Sequence, residues 1–174
     1  MGLPDLNRVT RWAPAAFLAV SAALLLTVYM FQHLGGLEPC HLCVIQRYPH
    51  FIVLGFALIA IVFGRKRRAI TALLLVGIAA AYLAGAGYAA FHVGVEGGHF
   101  QSACAGQGPA GSIEDLKARI LAAPTARCDD VAWSLFGVSM AGWNGILSVV
   151  MALAALYAAW RNRPQAGARA YVRT

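Results

Sequence analysis

The sequence predicts an all-α membrane protein: a four-transmembrane-helix bundle with both termini cytoplasmic and a long loop on the outer side. Three observations predict it. Of 174 residues, 60% are hydrophobic and only 12% are charged, about half the charged share of an ordinary soluble domain. The apolar residues collect in four blocks, 13–34, 44–63, 69–93 and 141–160. At about 1.5 Å per residue, each can cross a hydrocarbon layer roughly 30 Å thick. Basic residues, finally, crowd into alternate connecting segments. Disorder is excluded, because disordered chains are poor in apolar residues. The chain reads as one domain over 1–174.

The first block, Ala13 to Leu34, carries no charge and follows Arg8 and Arg11. It is too long for the apolar core of a cleaved signal, and the chain behind it is itself apolar, so it reads as a retained span. Trp12 at its start suits a membrane interface. The second block, Val44 to Phe63, holds Arg47, the single charge in any of the four. Pro49 fits cheaply only if that helix starts near Ile45; an earlier start implies a kink. In the third, Ala69 to Val93, Gly77, Ala81 and Gly85 recur every four residues and allow close helix approach. The fourth, Ala141 to Trp160, is bracketed by Trp143 and Trp160, 17 residues apart, or roughly 26 Å along a helix. None of the blocks shows the regular polar face of a soluble-bundle helix.

The N-terminal segment, the loop Arg65-Lys66-Arg67-Arg68 and the tail hold ten basic residues against one acid, Asp5. The 35–43 and 94–140 loops hold only Lys117, Arg119 and Arg127. The positive-inside rule therefore puts both termini in the cytoplasm and these two loops outside. The run at 65–68 alone would suggest nucleic acid; between two spans it is a topology signal, and no nucleic-acid partner is expected. The net +7 splits into +9 inside and −2 outside, counting Arg47 with the outer side.

Six glycines (94, 97, 98, 106, 108 and 111) make the first part of the long loop flexible. Ser112-Ile113-Glu114-Asp115 then resembles a capping box. Ile113, Leu116, Ile120 and Leu121 share one helical face, and Pro124 closes the segment. This is a short amphipathic helix, lying on the membrane or capping the bundle.

All four cysteines, Cys40, Cys43, Cys104 and Cys128, fall in the two outer loops, where disulfides persist. An even count on one side reads as two disulfides or a four-thiolate metal site. His33, His41 and His99 flank these loops, but a closed zinc site pairs two C-x-x-C knuckles and the second pair here is spread over 23 intervening residues. Disulfides are favoured, with no metal. A c-type haem motif is absent, because Val44 and not His follows Cys43.

Taken as a pair, Cys104 and Cys128 would close a ring of 25 residues, a stabilisation of roughly 3.5 kcal/mol by chain entropy. Cys40-His41-Leu42-Cys43 constrains little chain and has the spacing of an exchange-active dithiol. It lies where the second span begins, at the membrane surface. Arg47 is by default a functional-site candidate; on a helix its i,i+4 spacing from Cys43 puts guanidinium and sulfur on one face, about 6 Å apart along the axis. There it would favour a Cys43 thiolate and bond a carbonyl oxygen, or else snorkel to the headgroups. His41 either tunes the thiols or is an exposed spectator. His50 either lines a pocket or caps a polar patch.

Glu38-Pro39-Cys40-His41-Leu42-Cys43 with Arg47 resembles the disulfide bond formation protein B (DsbB) family. So do Phe31-Gln32-His33, His92, the Cys104 loop, Cys128-Asp129-Asp130, Trp133, Phe136-Gly137 and Met140, so the resemblance spans nearly the whole chain. It implies a thiol–quinone oxidoreductase of the bacterial inner membrane that re-oxidises a periplasmic DsbA-like dithiol oxidase of thioredoxin fold. It implies that Cys104 and Cys128 exchange with that partner, Cys104 forming the mixed disulfide. Cys40 and Cys43 then receive the electrons, and Cys43 passes them to ubiquinone or menaquinone. Arg47 and His92 match quinone-site residues. The partner couple that the resemblance implies lies at about −120 mV and requires an acceptor at still higher potential. Two alternatives remain: a vitamin K epoxide reductase-like enzyme, whose C-x-x-C belongs late in the bundle, and a small membrane metal handler using the same cysteines.

Overall fold

The computed structural model describes residues 6–64, 67–105, 112–114, 117 and 126–163. The helices are α1 (Leu6–His33), α2 (His41–Ile45), α3 (Tyr48–Phe63), α4 (Arg68–Glu96) and α5 (Met140–Arg161). Four stretches are long and apolar enough to cross a membrane: Trp12–His33, His41–Phe63, Arg68–Glu96 and Met140–Arg161. The chain is thus a multi-pass, four-helix membrane bundle.

The spans lie where the hydropathy puts them, with one difference. The second begins at His41, ahead of Val44, and is interrupted at Gln46–Arg47. Pro49 is the cause: it has no N–H for the carbonyl one turn back, and it sits in the first turn of α3. Gln46 and Arg47 keep helical dihedrals, but Arg47 N–H donates to Val44 O at 3.1 Å, a tightened turn. The earlier start thus brings an interruption of the helix just ahead of Pro49.

α4 packs against both α3 and α5, and α1 leans on α3. Tyr82, Leu75 and Ile78 of α4 meet Val53 and Ala57 of α3, Ala152 and Ala155 of α5, and Phe17 of α1 in one buried core. Small residues make this approach close. A Cβ on Gly77 would come 2.9 Å from the Phe56 ring, and one on Gly85 would come 3.3 Å from Pro49 Cβ. Large apolar residues such as Leu58, Val62, Leu73 and Leu153 face outward, as lipid contact requires.

Two short antiparallel strands, β1 (Ser134–Leu135) and β2 (Val138–Ser139), precede α5. Phe136 (φ 54°) and Gly137 (φ 76°) form their two-residue turn, positive at both positions as the twist of a tight hairpin demands. Ser139 caps α5, accepting from Gly142 N–H at 3.1 Å while donating to Glu96 at 2.5 Å. The hairpin is thereby tied to the end of α4. The helix expected from Ser112 lies largely outside the described residues; Ile113, Glu114 and Lys117, which are described, are helical and exposed.

Candidate active site

The end of the bundle where α1 and α4 finish and α2 and α5 begin gathers all four cysteines. Cys40 is the N-cap of α2, in an extended conformation, so its sulfur can turn back to accept the Cys43 N–H at 3.3 Å. The two sulfurs lie 3.0 Å apart as free thiols. Cys104 and Cys128 form a disulfide, with Cα atoms 5.3 Å apart, and Cys128 N–H donates to Cys104 O at 2.9 Å. Cys40, Leu42, Val95, Cys104 and Cys128 form one buried cluster, with Cys43 at its edge. The C-x-x-C and the outer pair therefore pack together, although the sequence separates them widely.

The C-x-x-C sulfurs face different surroundings. Cys40 is buried and meets His92 Nε2 at 3.6 Å. The hydrogen bond with the Cys43 side chain, helped by His92 and the Cys43 backbone N–H, outweighs burial and holds the Cys40 thiol down to about 4. Cys43 is half-buried and lines a cavity of about 360 Å³ together with Gln46, Arg47, His50, Trp143 and Asn144. Apolar side chains of α1 (Leu24, Val28, Phe31) and of the 132–136 segment complete its walls. That volume suits a small organic molecule.

Arg47 is half-buried on this cavity. Its Nη1 donates to Gln32 Oε1 at 2.9 Å, and its guanidinium lies 4.8 Å from the Tyr29 ring centre. The side chain is thus held on two sides by α1, not extended freely toward headgroups.

His92 is placed elsewhere than Arg47. It does not line the cavity but lies behind Cys40, bonded to Gln46 Nε2 at 2.7 Å and 3.9 Å from Glu96. His50 both lines the cavity and joins a polar network, its Nε2 bonded to Asn144 Oδ1 at 3.0 Å. His41 is exposed. Cys40, Cys43 and His92 offer two sulfurs and a nitrogen all within 4.8 Å, so these three could also hold a soft metal ion.

Gln32, Tyr29, Gln46, Asn144 and Glu96 complete the site, and sequence reasoning assigned none of them a role. The amides carry no charge, so a search for charges in apolar blocks passes over them. A search for amides in the same blocks would have found Gln32, Gln46 and Asn144.

The family model described as disulfide bond formation protein DsbB matches residues 10–158. A disulfide bond formation protein B from Psychrobacter sp. (strain PRwf-1) is 32% identical over 152 residues, covering 83% of this chain and 88% of the relative. One from Xanthomonas campestris pv. campestris (strain 8004) is 32% identical over 169 residues, covering 84% and 88%. One from Herminiimonas arsenicoxydans is 32% identical over 158 residues, covering 83% and 92%.

Proposed function

The chain belongs to the disulfide bond formation protein B family, a family of disulfide-generating membrane oxidoreductases, and from that premise we propose a specific electron route. A reduced DsbA-like oxidase of thioredoxin fold in the periplasm delivers two electrons to the Cys104–Cys128 disulfide. These pass to Cys40 and Cys43 and leave through Cys43 to a quinone of the inner membrane. Both termini lie in the cytoplasm on this reading, and the cysteine-bearing end faces the periplasm.

Each exchange conserves atoms and electrons. A thiolate of the partner attacks Cys104, and Cys128 leaves as a thiolate. The partner's second thiol resolves the mixed disulfide, so the partner is oxidised and the outer pair reduced. The freed Cys128 attacks Cys40 of the inner disulfide, Cys43 leaves, and Cys104 closes the outer disulfide again. Re-oxidation of the inner pair releases two electrons and two protons; a bound quinone supplies the acceptor for both. Cys43 meets the cavity, Arg47 would hold a carbonyl oxygen of a quinone bound there, and Cys40 closes onto Cys43.

The observation that carries the reading is the position of Cys43, at once on the edge of the four-cysteine cluster and on an apolar cavity with a held guanidinium. The residues fit the group: apolar walls suit an isoprenoid-bearing ring, and Arg47 supplies a charged donor at one end. The family match favours this route over a vitamin K epoxide reductase-like enzyme. A metal handler keeps one observation, the clustering of Cys40, Cys43 and His92.

Purified protein, a reduced thioredoxin-fold dithiol and a ubiquinone or menaquinone analogue test it, with quinol production followed by absorbance. Turnover that is abolished by Cys43→Ala supports the route. No turnover, or full turnover by the variant, overturns it. Stoichiometric zinc with no disulfide would establish the metal reading instead.

A further inference from the structure

The cavity beside Cys43 carries polar groups from two sides. Arg47 is drawn to the α1 side by Gln32 and Tyr29. From α5, Asn144 lines the same cavity, together with Gln46 and His50. Its amide oxygen lies 3.0 Å from His50 Nε2, and its nitrogen donates to Gln46 Oε1 at 2.7 Å. His50 is fixed in turn by Ser21 Oγ, 3.3 Å from Nδ1, and Gln46 by His92 Nδ1 at 2.7 Å. Asn144 is thus held in place by two neighbours from other segments.

Those neighbours do not use all of its hydrogens. An amide NH2 carries two, and Asn144 Nδ2 gives one to Gln46 Oε1. With both amides turned over, Asn144 Nδ2 would give one to His50 Nε2, and its oxygen would accept from Gln46. In either orientation one N–H of Asn144 is left over. Other donors that the helices place on the cavity are already engaged. Thr27 Oγ1 donates to Ala23 O at 2.8 Å and Trp143 Nε1 to Leu135 O at 3.2 Å, and each ring nitrogen of His50 has a neighbour. Gln46 also keeps a hydrogen, but it is buried, whereas Asn144 is half-buried. In hydrocarbon an N–H without an acceptor costs several kcal/mol, so an oxygen entering the cavity is favoured at Asn144.

We propose that Asn144 is a substrate-binding residue whose remaining N–H holds one carbonyl oxygen of the acceptor ring while Arg47 holds the other. A cavity with these two donors selects para-quinones, whose oxygens stand at opposite ends of the ring, over rings with a single carbonyl. A site built to bond an oxygen rejects the analogue that lacks it, because the donor is then left buried and unpaired. The inference rests on reading the cavity as a quinone site, and it names the class of ring that the site takes.

Binding to the full-length protein in detergent tests it without turnover. Trp133 and Trp143 line the cavity, so quenching of their fluorescence reports occupancy. The probes are decylubiquinone and a cyclohexenone carrying the same decyl chain. Asn144→Leu should weaken decylubiquinone binding about tenfold and cyclohexenone binding less than about twofold. An asparagine that only braced His50 and Gln46 would affect both ligands alike. In the parent, infrared difference spectra of decylubiquinone ¹³C-labelled at one carbonyl or the other should show both C=O stretches lowered on binding.

Equal losses for the two ligands overturn the inference. So does a carbonyl stretch that stays at its value in hydrocarbon solvent. The infrared measurement uses the parent alone and decides even if Asn144→Leu does not fold. Quinone that binds and re-oxidises the dithiol with one carbonyl unbonded refutes the role of Asn144 and leaves the electron route standing. Absence of any quinone binding overturns both.

Discussion

Arg47→Met separates the two halves of the proposed route. Methionine keeps much of the stem's length and removes the cation. In the protein the guanidinium donates to Gln32 at 2.9 Å and lies 4.8 Å over Tyr29, so it is already oriented on the cavity wall before anything binds. A hydrogen bond from a charged donor contributes about 1.5–3 kcal/mol, and its loss should raise the KM for quinone roughly 10- to 150-fold. Thiol exchange between the soluble partner and the outer pair uses no atom of Arg47 and should change less than about twofold, well within 0.5 kcal/mol. The assay has two arms. Quinol formation is measured against quinone concentration, and single-turnover reduction of Cys104–Cys128 is measured without quinone by acid quench and thiol labelling. Arg47→Lys should fall between, because it keeps the charge but loses the planar fork. Equal slowing of both arms, or an unchanged KM, would refute the assigned role of Arg47.

Two further outcomes are expected. Because the folded protein holds Cys40 down to about 4 from an ordinary 9.0, the folded state favours the thiolate more than the unfolded chain does. For the reduced protein that stabilisation is full above about pH 9 and is lost as pH falls through about 4. Thermal midpoints should therefore rise across that window and flatten in Cys40→Ser; an identical slope in the variant would contradict this. Cys104 and Cys128 are separated by 24 positions, and chain entropy gives roughly 3.5 kcal/mol for such a ring. Replacing both with serine should expose the 94–140 loop to protease at temperatures the parent withstands, and unchanged protection would show that packing alone holds the loop.

What was legible in the sequence follows from what a bilayer forbids. A span must be long and apolar, so the four crossings could be read within a few residues. A charge inside one is costly, so Arg47 stood out, and the cysteines were readable because all four fell on one side of the charge split. Pro49 even announced the interruption at Gln46–Arg47 as the consequence of an early helix start. The remainder depends on contacts across the bundle that no local pattern encodes. Gln46 reaches His92, 46 positions away, and Asn144 reaches Gln46 across 98. For the same reason His92, grouped with Arg47 by the family resemblance, lies beside Cys40 and off the cavity that Arg47 lines.

That placement makes the two C-x-x-C sulfurs unequal. One turn of α2 is enough to do it: Cys40 as N-cap turns toward the outer disulfide and His92, and Cys43, three residues on, turns toward the cavity. On the proposed route, a dithiol that accepts electrons from a protein and yields them to a lipid-soluble carrier needs two different exposures. A C-x-x-C placed at the start of a membrane helix provides both within a single turn, and Arg47, four residues past Cys43, meets the cavity as well.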